Sequence, residues 1–380
     1  MSIHRRGENR KDLQLWQLGA WWPDAVDPVK NRWWALRIEQ IDSLAWPEPN
    51  LHGQPVQFPR LAAHQHAWWR ALAGGFRQPG FLFVAKADGG TCIGMLPLML
   101  IKGPIFGRFL VSMPYINTGG VWARDQSVAS SLLDSACALA DRLDVRYLEL
   151  RHEIPVSHER LSATRTEKVH MRLVLPPSDE QLDASFKSKL RSQIRKAATF
   201  RHTIQWGGIE LLEDFYDIFS INMRDLGTPV FSQQLFAKIL LEFADQAELC
   251  IVRGDKGPAA AALLIHTNGV TEVPSASSLR RENHTGANMW MYRQLLKRAI
   301  DRKSHTFDFG RSSVASGTYK FKAQWGAQPH PAVWQYYVRK GSADAMRPNQ
   351  SSNRRLIRIW QRLPVRLTRW IGPAIVRGIP

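Results

Sequence analysis

Cysteine is scarce. The chain has three in 380 residues, Cys92, Cys137 and Cys250, too far apart for a CxxC pair. A disulfide framework or a cysteine-built zinc site is therefore not expected, and a reducing compartment is the natural home. Long apolar runs are missing too. Stretches such as Met95 to Ile101 fall far short of the ~20 residues of a membrane-spanning helix. The opening MSIHRRGENRKD has charge but no apolar h-region, so no secretory signal is expected. A cytoplasmic location follows as the expectation. Acidic residues are few: 33 Asp plus Glu against 51 Lys plus Arg leave a net charge of +18. Such an excess asks for an anionic partner, whether nucleic acid, phosphorylated substrate or acidic membrane surface.

Several catalytic signatures are absent. There is no GxxxxGK[ST] phosphate loop, no HExxH and no GxSxG elbow. The twelve histidines show no metal spacing, and no metal is expected. Asp308-Phe309-Gly310 copies a kinase tripeptide, but the glycine loop, VAIK lysine and HRD loop of a kinase are missing. Gly74-Gly75 and Gly119-Gly120 read as turn glycines.

What remains is a globular α/β pattern, 44% hydrophobic and long enough for two domains. Residues 1–55 read as irregular, broken by five prolines from Pro23 to Pro55. Beyond them each half runs roughly helix, antiparallel hairpin, helix, strand. The first hairpin turns at Asp88-Gly89-Gly90 and the second at Gly254 to Gly257. Ser127 to Leu143 has apolar residues at helical spacing, and Ser178 caps a helix that runs, with a break, to Ala198. The expected organisation is a domain over 56–176, a second over 177–340, and a tail over 341–380.

The tail is strongly basic. From Arg339 onward there are ten Lys or Arg and one acidic residue, Asp344. Arg355, Arg358, Arg362, Arg366 and Arg369 fall beside an apolar face of Leu356, Ile359, Trp360, Leu363, Leu367, Trp370 and Ile371, with a kink at Pro364. Such a helix either contacts anionic lipid, over about residues 345–380, or packs on the body with its arginines solvated.

Two further stretches carry chemistry. On the helix from Phe186 to Ala197, Lys187, Arg191 and Arg195 share a face that can clamp a phosphate. In the second, a strand ends at Asp308 and a Gly310-Arg311-Ser312-Ser313 loop follows. Gly317 then releases Tyr319-Lys320-Phe321-Lys322. If extended, this last segment puts both lysines on one side; if helical, they diverge. A lysine here can hold the oxyanion that develops during acyl transfer to an amine. An edge strand with surface lysines is the plainer alternative.

These residues, taken with Gly94 to Leu98, Ser112 to Gly120, Lys189 to Ala197 and Asn222 to Pro229, resemble the FemAB family over about 60–340. Within it they resemble the branch associated with exosortase and PEP-CTERM exopolysaccharide systems. The resemblance implies two tandem GNAT-like domains, each a mixed sheet flanked by helices. It implies that a basic residue among Lys189, Arg191 and Arg195 binds substrate phosphate, and that Lys322, in the Phe321-Lys322 pair, assists transfer. The second half also looks like a BioF2-like acetyltransferase. Two features depart from the pattern. No long helical arm is visible, and the CoA motif [QR]xxGx[GA] is not clean at Arg281 to Ala287.

The resulting expectation is an N-acyltransferase or aminoacyltransferase. It would act on an amine of a phosphorylated or lipid-linked envelope or exopolysaccharide precursor. The donor would be acyl-CoA or aminoacyl-tRNA, with no tightly bound cofactor. Lys322 is first choice for the oxyanion and Lys320 second. Asp308 is a candidate base, and Arg311, Ser312 and Tyr319 contact substrate. The rivals are an acetyl-CoA-dependent sugar N-acetyltransferase and a non-catalytic protein that binds RNA or membrane.

Overall fold

The computed structural model describes residues 36–41, 46–47, 56–103, 106–341 and 350–379. The elements of the first part are β1 (Arg37–Ile41), α1 (His66–Phe76), β2 (Gly80–Lys86), β3 (Cys92–Gly103), β4 (Gly107–Val111), β5 (Trp122–Ala123), α2 (Gln126–Arg142), β6 (Tyr147–His152), β7 (Ala163–Arg165) and β8 (Lys168–Val174). Then come α3 (Asp179–Ser185), α4 (Ser188–Ala198), β9 (Thr203–Gly207), α5 (Leu212–Leu226), α6 (Gln233–Phe243), β10 (Ala247–Gly254), β11 (Gly257–Thr267) and β12 (Val270–Ser278). The last are α7 (Ala287–Asp301), β13 (Thr306–Ser313), α8 (Gly317–Gln324), β14 (Gln328–Pro331), β15 (Val333–Val338), α9 (Gln350–Arg362) and α10 (Val365–Val376).

The strands form two mixed sheets. One runs β1-β2-β3-β4-β6-β15-β7, with β5 against β3, and the other β14-β8-β13-β12-β11-β10-β9. Each described sheet is antiparallel except at one pair, β4 with β6 and β12 with β13. The same plan thus occurs twice. The sheets also trade strands: β8 pairs in the second sheet and β15 in the first. A cut at 176/177 therefore leaves β8 on the wrong side of its own sheet. Of the stretch read as irregular, residues 1–35 lie outside the described residues, while Arg37–Ile41 pairs with β2 as an edge strand.

Local signals explain most elements. Asp125 caps α2 by accepting from the Val128 amide, and Ser178 caps α3 by accepting from Gln181. The helix after Ser178 does break, at Phe186-Lys187, so Lys187 stands at the cap of α4 rather than in it. The β10–β11 hairpin turns through Asp255-Lys256 between paired Gly254 and Gly257.

Two sequence expectations change, and one choice left open is decided. Gly74-Gly75 lie inside α1, not in a turn. A Cβ on Gly75 would stand 2.9 Å from the Leu235 Cα, so the glycine lets α1 of the first half press onto α6 of the second. The core built there, with Trp68, Phe215, Phe236 and Leu263, joins the halves. Gly310 to Ser313 continue strand β13 instead of forming a loop, with a bulge between Asp308 and Arg311. Gly317–Gln324 is a helix capped by Ser316 rather than an extended segment.

The tail forms two helices broken at Leu363-Pro364. Thr368, Gly372 and Val376 of α10 are buried on the body, and Arg369 donates to Ser220 and pairs with Asp217. No helix among the described residues is long and apolar enough to cross a membrane.

Candidate active site

Strands β12 and β13 run parallel but share only three register pairs, ending at Glu272 opposite Asp308. Past that point β12 stays with β11 and β13 stays with β8. The two strands therefore splay, and backbone groups at the fork are freed from sheet pairing. Gly310, at φ +76°, and the bulge before Arg311 carry β13 away. A cleft opens at the fork, lined by Trp68, Tyr115, Asn117, Thr118, His170, Glu272, Asp308 and Gly310. It continues into a cavity of about 480 Å³ bounded by Arg60, Gln65, Arg172, Thr267 and Thr306.

The first half supplies one wall. The loop from Ser112 to Gly120 is pinned by Arg151, whose Nη1 donates to Ile116 O at 2.8 Å and whose carbonyl accepts from Gly119 N. Met113 and Tyr115 in this loop hold φ at 61° and 75°, left-handed values that side chains resist. The Tyr115 and Ser275 hydroxyls share a 3.0 Å hydrogen bond that ties this loop to β12.

Charge in the cleft is unevenly matched. Arg172 on β8 donates through Nε to Asp308 at 2.9 Å and through both Nη atoms to Glu153 at 2.8 and 2.5 Å. Asp308 also accepts from the Gly310 amide at 2.7 Å. Both Asp308 oxygens are thus engaged. Glu272 has no ion-pair partner among the described residues, and it lines both the cleft and the cavity. Burial and the facing Asp308 carboxylate push it up to about 8, against the pull of Arg172 and Trp68. One guanidinium serves three carboxyls, so the third keeps its proton near neutrality.

His170 is fully buried in the cleft wall and neither ring nitrogen has a hydrogen-bond partner. Burial pulls it down to about 4, which leaves a neutral imidazole at pH 7. Lys322, 9% exposed, reaches back from α8 to donate to Gly310 O at 3.0 Å and Arg311 O at 3.2 Å. Burial lowers it to about 8, with Asp308 opposing. The lysine braces the bulge that forms the fork.

The other expected site residues are dispersed. Lys320 is exposed on the opposite side of α8 from Lys322, because consecutive even positions diverge on a helix. Tyr319 packs at the edge of the second core. Ser312 is buried with an unpartnered hydroxyl. Arg311 leaves the cleft and stacks on Trp334 at 3.4 Å. Lys189, Arg191 and Arg195 are exposed on α4, and none of them lines the cleft. Glu272, His170 and Arg172 did not stand out in the sequence. The available signal was one glutamate in the otherwise small and apolar run Val270 to Ser278, and one histidine amid Val169 and Met171. Among the described residues no group of acidic, histidine or cysteine side chains is placed to hold a metal.

Residues 184–323 match the family model of the acetyltransferase (GNAT) domain. No curated protein matches the chain. Among solved structures, FemX is similar at 14% identity and TM-score 0.56, over 84% of this chain and 100% of that one. A conserved protein of unknown function from Bacteroides thetaiotaomicron VPI-5482 is similar at 10% identity and TM-score 0.52, over 80% and 100%. A tandem GNAT protein from the clavulanic acid biosynthesis pathway follows at 12% and 0.48, over 81% and 99%. The fold is two GNAT-like units in tandem, each a mixed sheet flanked by helices, with the match to the acetyltransferase (GNAT) domain in the second.

Proposed function

We propose that the protein is an N-acyltransferase or aminoacyltransferase whose reaction takes place at the fork between β12 and β13. The observation that carries this reading is the Glu272–Asp308 pair at the base of the fork, with one carboxyl held near pH 8. An acceptor amine arrives as an ammonium and must lose a proton before it attacks. A base is most effective when its pKa lies near the working pH. Glu272 meets that condition, whereas Asp308 is occupied by Arg172 and Gly310.

In this scheme the ionised form of Glu272, whose share grows as pH nears 8, takes the ammonium proton and the amine nitrogen attacks the acyl carbon. Lys322 has one N–H left after bonding Gly310 and Arg311, and this donor stabilises the oxyanion. Collapse expels the thiolate of CoA or the ribose alkoxide of tRNA, which takes the proton held by Glu272, while the nitrogen releases its second proton to solvent. Asp308 sets the charge that keeps Glu272 basic, and Arg172 fixes Asp308.

The acceptor class we favour is a phosphorylated or lipid-linked envelope or exopolysaccharide precursor, in keeping with the +18 charge and the sequence resemblance. Lys189, Arg191 and Arg195 are solvent-facing and free to meet a distant phosphate of such a molecule, or tRNA. Incubation with acyl-CoA and aminoacyl-tRNA pools and amine acceptors, read by mass spectrometry, tests the assignment. One donor should be consumed; loss of neither would refute it.

The tail supports work at an anionic membrane surface. Its small residues Thr368 and Gly372 face inward, and a Cβ on Gly372 would meet Val230 at 2.8 Å. Several large apolar ones face out: Trp370 is 78% exposed, and Leu356 and Ile359 are exposed beside Arg355, Arg358 and Arg362, while Val376 is buried with the small residues. A helix that serves the core alone buries its largest apolar side chains. Interfacial binding uses the opposite arrangement, an aromatic flanked by cations. Vesicle flotation with anionic and neutral lipid tests it: Trp370→Glu should release the protein from anionic vesicles, and unchanged flotation would sink the idea.

A further inference from the structure

Beside the fork, where the two sheets meet, two guanidinium groups lie over one indole and two further cations border the same pocket. Arg311 of β13 lies over the Trp334 ring at 3.4 Å, and Arg151 of β6 lies over the same ring at 4.2 Å. Arg151 has a partner, Glu149, at 2.8 Å. Arg311 has no carboxylate within ion-pair distance among the described residues. Arg165 of β7 and Lys168 of β8 line the same pocket with Arg311, Glu167, Ala332 and Trp334. The Arg165 guanidinium keeps one buried nitrogen without a hydrogen-bond partner.

Burial, reinforced by Arg151, pulls Arg311 down to about 9. Burial and then Arg311 lower Lys168 in turn. Arg311 is stacked on Trp334 and Arg165 lies over Tyr336 at 5.5 Å, but both face the same space as Lys168, and Glu167 is the single counter-charge lining it. Desolvated like charges are kept in a native structure when something of opposite sign joins them. The pocket holds about 50 Å³, room for a few waters or a small anion.

We propose that Arg311, Arg165 and Lys168 form an anion pocket at the sheet junction that takes a phosphoryl or diphosphate group. Arg311 and Arg165 come from different sheets, so the ligand would bridge the two halves. Arg311 also follows Gly310, and its carbonyl is held by Lys322. A phosphate bound here would therefore sit on the strand that forms the fork. The biological meaning rests on reading the fork as the transfer site, but binding is measured with no donor present and stands or falls alone.

The test is thermal unfolding of the full chain with inorganic pyrophosphate at constant ionic strength. The wild-type midpoint should rise saturably. Arg311→Gln should begin at an equal or higher midpoint, because a desolvated charge is gone, and should bind at least tenfold more weakly. Arg358→Gln, on α9, should respond as wild type and so exclude a general charge effect. Arg165→Gln, which leaves the Trp334 stack in place, should also weaken binding and serves if Arg311→Gln does not fold. Comparing a nucleoside diphosphate with a short-chain lipid phosphate then separates a soluble from a lipid-borne source; protection by either supports the pocket. No saturable rise in wild type, or an unchanged response in both variants, would overturn it.

Discussion

Replacing Glu272 by Gln should stabilise the protein, and by an amount that depends on pH. The unfolded carboxyl titrates near 4.5 and the folded one near 8. Between those values the native state keeps a proton that the unfolded state has lost. Native stability due to this group is complete below pH 4.5 and is lost as pH rises through 8. Glutamine copies the protonated acid and does not titrate. Each pH unit in the window is worth about 1.4 kcal/mol. The variant should therefore match wild type near pH 4, exceed it by about 2 kcal/mol at pH 6, and level off near 5 kcal/mol above pH 8. Calorimetric midpoints at pH 5, 6, 7 and 8 measure the difference. A gap that stays constant with pH would refute the reasoning, since a packing change alone has no such dependence.

Two other outcomes follow from geometry. Lys322→Ala should abolish turnover with circular dichroism unchanged, because one side chain braces the bulge and supplies the oxyanion donor; full activity would remove the lysine from the mechanism. Neighbouring glycines in α1 should respond oppositely to alanine. Gly74→Ala meets only the flexible Lys238 side chain at 3.4 Å and should gain up to about 1 kcal/mol of helix propensity, whereas Gly75→Ala runs into the Leu235 backbone and should lose about 1–3 kcal/mol, both read as unfolding midpoints.

The sequence reads well where information is local. Ser178 and Asp125 announce their helices by capping, and Gly254 to Gly257 announces a hairpin by its turn. It misleads where two periods coincide. Tyr319-Lys320-Phe321-Lys322 alternates like a strand, yet Ser316 caps a helix there, and the helix buries Lys322 while it exposes Lys320. The exchange of β8 and β15 between sheets was not legible, because Val333 pairs with His152 and Thr306 with Val174, contacts that no local pattern encodes. The site was half visible for the same reason. Asp308 and Lys322 stand in a conspicuous basic, glycine-marked stretch. Glu272 matters only because parallel pairing sets it against Asp308, and His170 only because β8 crosses into the second sheet.

The central claim is that Glu272 at the β12–β13 fork removes the acceptor proton. Its most direct test is the single-turnover pH–rate profile of wild type and Glu272→Gln, once the donor is known. The wild-type rate should climb about tenfold per pH unit below 8 and flatten above it. The variant should be slower by about 10²–10⁴ and lose that slope. A variant that keeps both the wild-type rate and the wild-type slope would contradict the account.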